Sequence, residues 1–217
     1  MSGGVWVFVE NRDGAISPIS REAIGAARIV ANGMGTDLTG LVFGQHIADV
    51  AATAFDLGVD AVVAADDATL AGGRLEAIAP LAVKLVRERR PDAVILGSST
   101  RGRDLAAWLG ADLDAGVVPD AIELAVDGNT VNVTRPVYAG KLLCTAFVKG
   151  APQIVTLRSR AFPQAAPTGK KGAPEMVDAV VAENDIPTKV TGYEGKGNKV
   201  SLSDAGKIVS GGRGVGG

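Results

Sequence analysis

The chain has 217 residues with a formal net charge of −2, 47% apolar and 21% charged. That length suits one good core with a tail or a small second unit, and the composition is that of a folded domain rather than a disordered one. The charge excludes the strongly basic footprint of a nucleic-acid binder, no apolar run approaches the ~20 residues of a membrane span, and the lone Cys144 excludes an internal disulfide.

Residues 5–10, VWVFVE, are the first predicted strand. Met-Ser-Gly-Gly enters it with no basic leader region, so a cytoplasmic protein in a reducing compartment is expected. Ser17-Pro18 or Ser20 can cap a helix in which Ile24, Ala27, Val30 and Ala31 recur at helical spacing, ended by Gly33 and Gly35. Residues 38–43 then read as a strand, 47–57 as a helix stopped by Gly58, and 61–64 as a short strand. A third helix spans 75–89, kinked at Pro80 or starting near Ala79. Its basic ending, Arg87-Glu88-Arg89-Arg90, complements the helix dipole and reads as structural.

The organising stretch follows. Ala93-Val94-Ile95-Leu96 is a buried-strand run, Gly97-Ser98-Ser99-Thr100 breaks it, and a helix over 103–113 comes next. Strands and helices alternating at this spacing predict right-handed crossovers and a doubly wound, mostly parallel α/β sheet. Beyond the helix the texture changes. Residues 121–125, 130–134, 141–148 and 153–158 read as strands joined by tight turns, predicting an antiparallel edge on the parallel sheet. Residues 162–172 read as a flexible connection, and 176–182 and 189–193 as short strands before the polar 194–199. Lys207-Ile208-Val209 is β-like and feeds Ser210-Gly211-Gly212-Arg213-Gly214.

Chemical resources are thin. Ser98, Ser99 and Thr100 can bind an anion at a helix start, but capping, for which Asp104 also serves, or subunit contact is the better reading without a GxGxxG or Walker pattern. Arg101 and Arg103 can clamp a phosphate or carboxylate; a partner-facing role is preferred. His46 reads as a helix-start residue and Cys144 as a buried or half-buried strand residue. Asp66-Asp67 and Asp112/Asp114 read as turn and helix-end chemistry. One histidine and one cysteine supply neither a nucleophile–base pair nor a zinc set, so no catalytic residues and no metal site are expected. Ser210, Gly211, Gly212, Arg213 and Gly214 form the most function-like string: glycine N–H groups can approach a phosphate and Arg213 can supply countercharge.

Taken together, VWVFVE, the run from Ile95 to Ala106, Arg135-Pro136-Val137-Tyr138-Ala139-Gly140, Thr156-Leu157-Arg158 with Phe162, and the closing Ile208 to Gly214 resemble the alpha subunit of the electron transfer flavoprotein family. The resemblance implies a Rossmann-like domain of the adenine nucleotide alpha hydrolase type over residues 1–161. A connecting segment over 162–209 and the start of a truncated FAD-binding domain at 210–217 would follow. It implies FAD as cofactor, held mainly by a domain absent here, with Arg213 matching an FAD-contacting arginine and Ser210–Gly212 the adjoining loop. AMP would sit in a beta subunit that pairs with this chain as a heterodimer. Electrons would pass from flavin dehydrogenases, notably acyl-CoA dehydrogenases of fatty acid beta-oxidation, to a membrane quinone reductase, without nucleic acid and without direct membrane insertion. The alternative is a free-standing adenine-nucleotide-binding α/β module using the loop at 97–104, or a purely structural scaffold.

Overall fold

The computed structural model describes residues 3–12, 14–192 and 205–216. In chain order it comprises β1 (Val5–Phe8), the paired short strands β2 (Asn11–Arg12) and β3 (Ala15–Ile16), α1 (Pro18–Met34), β4 (Leu38–Gly44), α2 (Ala48–Asp56), β5 (Ala61–Asp66) and α3 (Leu75–Arg89). There follow β6 (Ala93–Gly97), α4 (Thr100–Leu113), β7 (Val117–Ala121), β8 (Glu123–Asp127), β9 (Thr130–Val137), β10 (Leu142–Ala146), β11 (Gln153–Leu157) and the two-residue β12 (Glu175–Met176).

Side chains alternate across a strand, so VWVF serves two cores at once. Val5 and Val7 pack with α1 and α2 on one face of the sheet, Trp6 and Phe8 with α3 and α4 on the other. A parallel sheet covered on both faces needs strands apolar throughout, and AVILG in β6 and QIVTL in β11 are buried along their whole length. Seven strands lie in the order β12-β5-β4-β1-β6-β11-β7, with every pair parallel. The chain winds outward from β1 through β4 and β5, then returns to β6 on the other side of β1. That places the topological switch between the carboxyl ends of β1 and β6, where open sheets of this kind bind ligands.

Local chemistry fixes the helices. The Ser17 side chain accepts the Ser20 N–H at the start of α1, Pro18 sits in the first turn, and Gly35 closes the helix in the left-handed conformation at φ 65°. Helix α3 is continuous from Leu75 through Pro80 to Arg89. Its basic end is structural as expected: Arg89 pairs with Glu175 at 2.6 Å and Arg87 donates to the Asp112 carbonyl.

Four expectations are corrected. Residues 153–157 do not close a hairpin but enter the parallel sheet between β6 and β7, and β7 itself was not anticipated. The antiparallel strands form a separate sheet, β10-β9-β8, rather than an edge of the main one. Its inner side packs Val131, Val133, Leu124 and Val126 against the α1 face of the core. A Cβ at Gly33 of α1 would lie 2.8 Å from the Val126 side chain, so glycine is what lets β8 approach the helix. Residues 162–172 are irregular but tied down: Ala165 N–H donates to the Arg21 carbonyl, Thr168 N–H to the Asp56 carbonyl, and Lys170 Nζ to Asp60 at 2.6 Å. Finally, only Glu175–Met176 of the 176–182 region is strand, residues 189–192 are not strand, and 207–209 is irregular and exposed. Tyr193 and the polar run 194–199 lie outside the described residues.

Candidate functional site

The carboxyl ends of β1 and β6 bring Glu10 beside the turn Ser98-Ser99 and the first turn of α4. Ser99 caps that helix, its Oγ accepting the Gly102 N–H at 2.9 Å, so the capping reading holds. The same hydroxyl donates to a carboxylate oxygen of Glu10. The other oxygen of Glu10 lies 4.0 Å from Arg101 Nη1, and its side chain is only 19% exposed. Arg101 also donates to the Gly72 carbonyl at 3.2 Å and lies where any Cβ at Gly73 would be, 2.1 Å from its Cζ.

The floor of the crevice is crowded. A Cβ at Gly97 would meet Ile19 at 2.6 Å, and one at Gly102 would lie 2.0 Å from the Gly97 carbonyl oxygen. On the far side Ser98 and Thr156 hydroxyls bond at 2.7 Å, and Thr156 also accepts the Asp120 N–H. Asp120 in turn holds Arg158 bidentately at 3.1 and 2.6 Å. Arg101 thus turns inward onto its own chain, while Arg103 is exposed.

The acidic residues do local work. Asp66 accepts the His46 and Ile47 N–H groups ahead of α2, and Asp67 caps the turn at residues 68–73 through Thr69. His46 is exposed at a left-handed φ of 56°, at the helix start as expected. Asp112 accepts the Trp108 indole N–H, and Asp114 closes α4 at φ 51°. Glu22 is buried, which raises its pKa; the Arg160 N–H at 2.7 Å and the Arg160 charge partly offset this. Among the described residues no group of three His, Cys, Asp or Glu could hold a metal, and no helix is long and apolar enough to cross a membrane.

Ser210, Gly211, Gly212, Arg213 and Gly214 belong to the exposed last run of described residues. All five are exposed, with Arg213–Val215 forming one 3-10 turn, and no hydrogen bond or ion pair joins them to residues 97–104. Gly212 and Gly214 have open space where a side chain would project. The donor set, glycine N–H groups beside an exposed guanidinium, fits a phosphate group chemically. The segment leads back to the body through Ala205, whose carbonyl accepts from Arg160 at 2.9 Å.

Two features were not anticipated. Glu10 read as the last residue of a strand; a carboxylate at the strand end opposite a Ser-Ser-Thr-Arg turn was the available signal. Cys144 is exposed, not buried. It belongs to β10, where Leu142 and Leu143 are 58% and 65% exposed, beside Tyr138 at 76% and Phe147 at 53%. Directly across from Cys144 is Arg135, whose Nε is buried without a hydrogen-bond partner. Beyond β10 there is no further strand among the described residues.

Comparison with known proteins adds the lineage. The model of the electron transfer flavoprotein domain matches residues 5–182. Protein FixB of Clostridium saccharobutylicum is 34% identical over 217 residues, covering 98% of this chain and 65% of that protein. Electron transfer flavoprotein subunit alpha of Clostridium acetobutylicum is 30% identical over 98% of this chain and 66% of its own length. The Bacillus subtilis protein of the same description is 31% identical over 99% and 66%. The chain therefore spans slightly less than two thirds of the length of these relatives.

Proposed function

Because this chain belongs to the electron transfer flavoprotein family, we propose that it is the beta-subunit-docking half of an alpha subunit in a heterodimeric electron carrier. The intact carrier takes electrons from flavin dehydrogenases such as acyl-CoA dehydrogenases and delivers them through FAD to a quinone reductase. The exposed antiparallel arm carries the reading. An outer strand with open edge, flanked by Leu142, Leu143, Phe147 and Tyr138, is a surface that soluble proteins normally cover or blunt. From 128 to 158 the sequence contains no Asp or Glu, while Arg135, Lys141 and Lys149 carry positive charge. A partner strand with apolar side chains and a carboxylate for Arg135 complements that face.

FAD supplies the redox chemistry when bound. On this chain the residues assigned to it are Ser210, Gly211, Gly212, Arg213 and Gly214, whose N–H groups and guanidinium would hold part of its pyrophosphate. Most of the cofactor would rest on polypeptide outside these 217 residues, and AMP on the beta subunit. The division is then a Rossmann-like domain at 1–161, a connection at 162–209 and the edge of a flavin-binding unit at 210–217, in a cytoplasmic protein without catalytic residues of its own.

The experiment is co-expression of this chain with an electron transfer flavoprotein beta subunit, followed by affinity measurement. Leu143→Asp should weaken the pair at least roughly tenfold, as loss of a buried interface anchor does, while the chain purified alone should be colourless. Unchanged affinity removes the docking assignment, and stoichiometric visible flavin absorbance in the lone chain removes the cofactor assignment.

A further inference from the structure

At the switch point a strand-end carboxylate, a hydroxyl, a guanidinium and the first turn of α4 come together. The crevice lies between β1 and β6, where the strand order reverses, and the first turn of α4 faces it, as in α/β chains that hold nucleotide phosphates at a helix start. A hydroxyl donor (Ser99) and a guanidinium (Arg101) converge there: Ser99 donates to the Glu10 carboxylate, and Arg101 Nη1 lies 4.0 Å from its other oxygen while Nη2 donates to the Gly72 carbonyl.

Glu10 is held in place by its own backbone. Its N–H donates to Ser20 Oγ at 2.8 Å and its carbonyl accepts the Ser17 N–H at 3.0 Å, so the start of α1 anchors the strand end that carries it. Ile19, from the same turn, packs against Gly97 at the end of β6. Only 19% of the Glu10 side chain is exposed. An incoming phosphate would have to displace a covalently tethered carboxylate that has no translational entropy to lose, and would meet its charge on arrival.

We propose that Glu10 is the built-in anion of this crevice: it occupies the donors that a nucleotide phosphate would use and keeps this end of the sheet closed to nucleotides. The fold retains the architecture of a nucleotide site while the side chain at position 10 turns it into a structural joint between β1 and α4. This inference is independent of the assignment of the arm and of residues 210–214.

The test is calorimetry and thermal melting of the 217-residue chain, native and as Glu10→Ala and Glu10→Gln, titrated with AMP and with inorganic phosphate. The native chain should give no saturable heat with either probe. Each variant should gain saturable binding of at least one probe, with a rise in melting temperature of roughly 3–5 °C at tenfold excess over Kd. Glu10→Gln, nearly equal in volume, keeps the comparison available if Glu10→Ala does not fold. Saturable binding of AMP or phosphate by the native chain overturns the proposal, and so does a folded variant that responds no differently from the native chain.

Discussion

Only residues 147–152 separate β10 from β11, yet β11 is buried along its whole length and β10 is exposed along almost all of its own. The two runs, LLCTA and QIVTL, are about equally apolar. Their fates differ because of their neighbours. β11 lies between β6 and β7 with its side chains in both cores, whereas β10 pairs only with β9 and overhangs the core that β8 and β9 cover. Gln153 shows how tightly the inner strand is knitted: its side-chain oxygen accepts the Val131 N–H at 2.8 Å and its amide donates to the Asn129 carbonyl at 2.7 Å. Apolarity alone does not bury a strand; its neighbours do.

The widest gap between the two strands should appear under one substitution made in each. Val155→Asp places a carboxylate in the fully buried β11 with no partner, and should cost about 4 kcal/mol or more. Leu143→Asp, on the exposed strand, should move stability by no more than about 0.5 kcal/mol. Urea unfolding of both variants measures this directly. Equal losses would mean that β10 is as much a part of the core as β11.

Much of this contrast was hidden in the sequence for identifiable reasons. The four helices and the strands read at 38–43, 61–64 and 93–96 were legible because apolar periodicity and caps are local signals. That the turn at Ser98–Thr100 caps α4 was legible for the same reason, although the choice of Ser99 within it was not. The role of 153–157 was not, because an apolar run of five residues does not say whether its partner is antiparallel and adjacent or parallel and sixty residues away at β6. β7 carries Pro119 and Asp120 and lies at the sheet edge, so its pattern is weak. The exposure of Cys144 is not legible because apolar neighbours imply burial on a covered strand and not on an overhanging one. Glu10 was passed over because its meaning depends on a turn 89 residues later.

A second, smaller effect separates the regions by pH. Asp60 fastens the α1 face of the parallel sheet by accepting from the Leu38 N–H at 2.8 Å, Arg28 at 2.6 Å and Lys170 at 2.6 Å. Burial alone would raise its pKa, but the Leu38 N–H, Lys170 and Arg28 together prevail and lower it from 3.8 to about 2. The folded state therefore holds the deprotonated form more strongly than the unfolded chain does. The resulting stability is fully present above pH ~4 and is lost as pH falls toward 2, on the order of 2 kcal/mol. Asp60→Asn should remove that contribution at neutral pH and flatten the acid side of the stability curve. Parallel acid slopes for the native chain and the variant would show that these three contacts do not stabilise the sheet.

The gentlest probe bears on the arm alone and needs no substitution. Cys144 is the one thiol in the chain and it is exposed in the middle of β10, so alkylation reports on that strand without interference from any other site. In the isolated chain the thiol should react at a rate close to that of an unfolded control, since no opening of the structure has to precede the encounter. Addition of a beta subunit should slow the reaction in proportion to the fraction bound, because a strand seated along β10 would exclude the reagent from both sides of Cys144. A thiol in the covered sheet would behave oppositely, slow from the start and indifferent to any partner. If Cys144 reacts slowly in the chain alone, the arm is covered by its own polypeptide; if it reacts at the same rate with and without a bound subunit, the partner docks elsewhere.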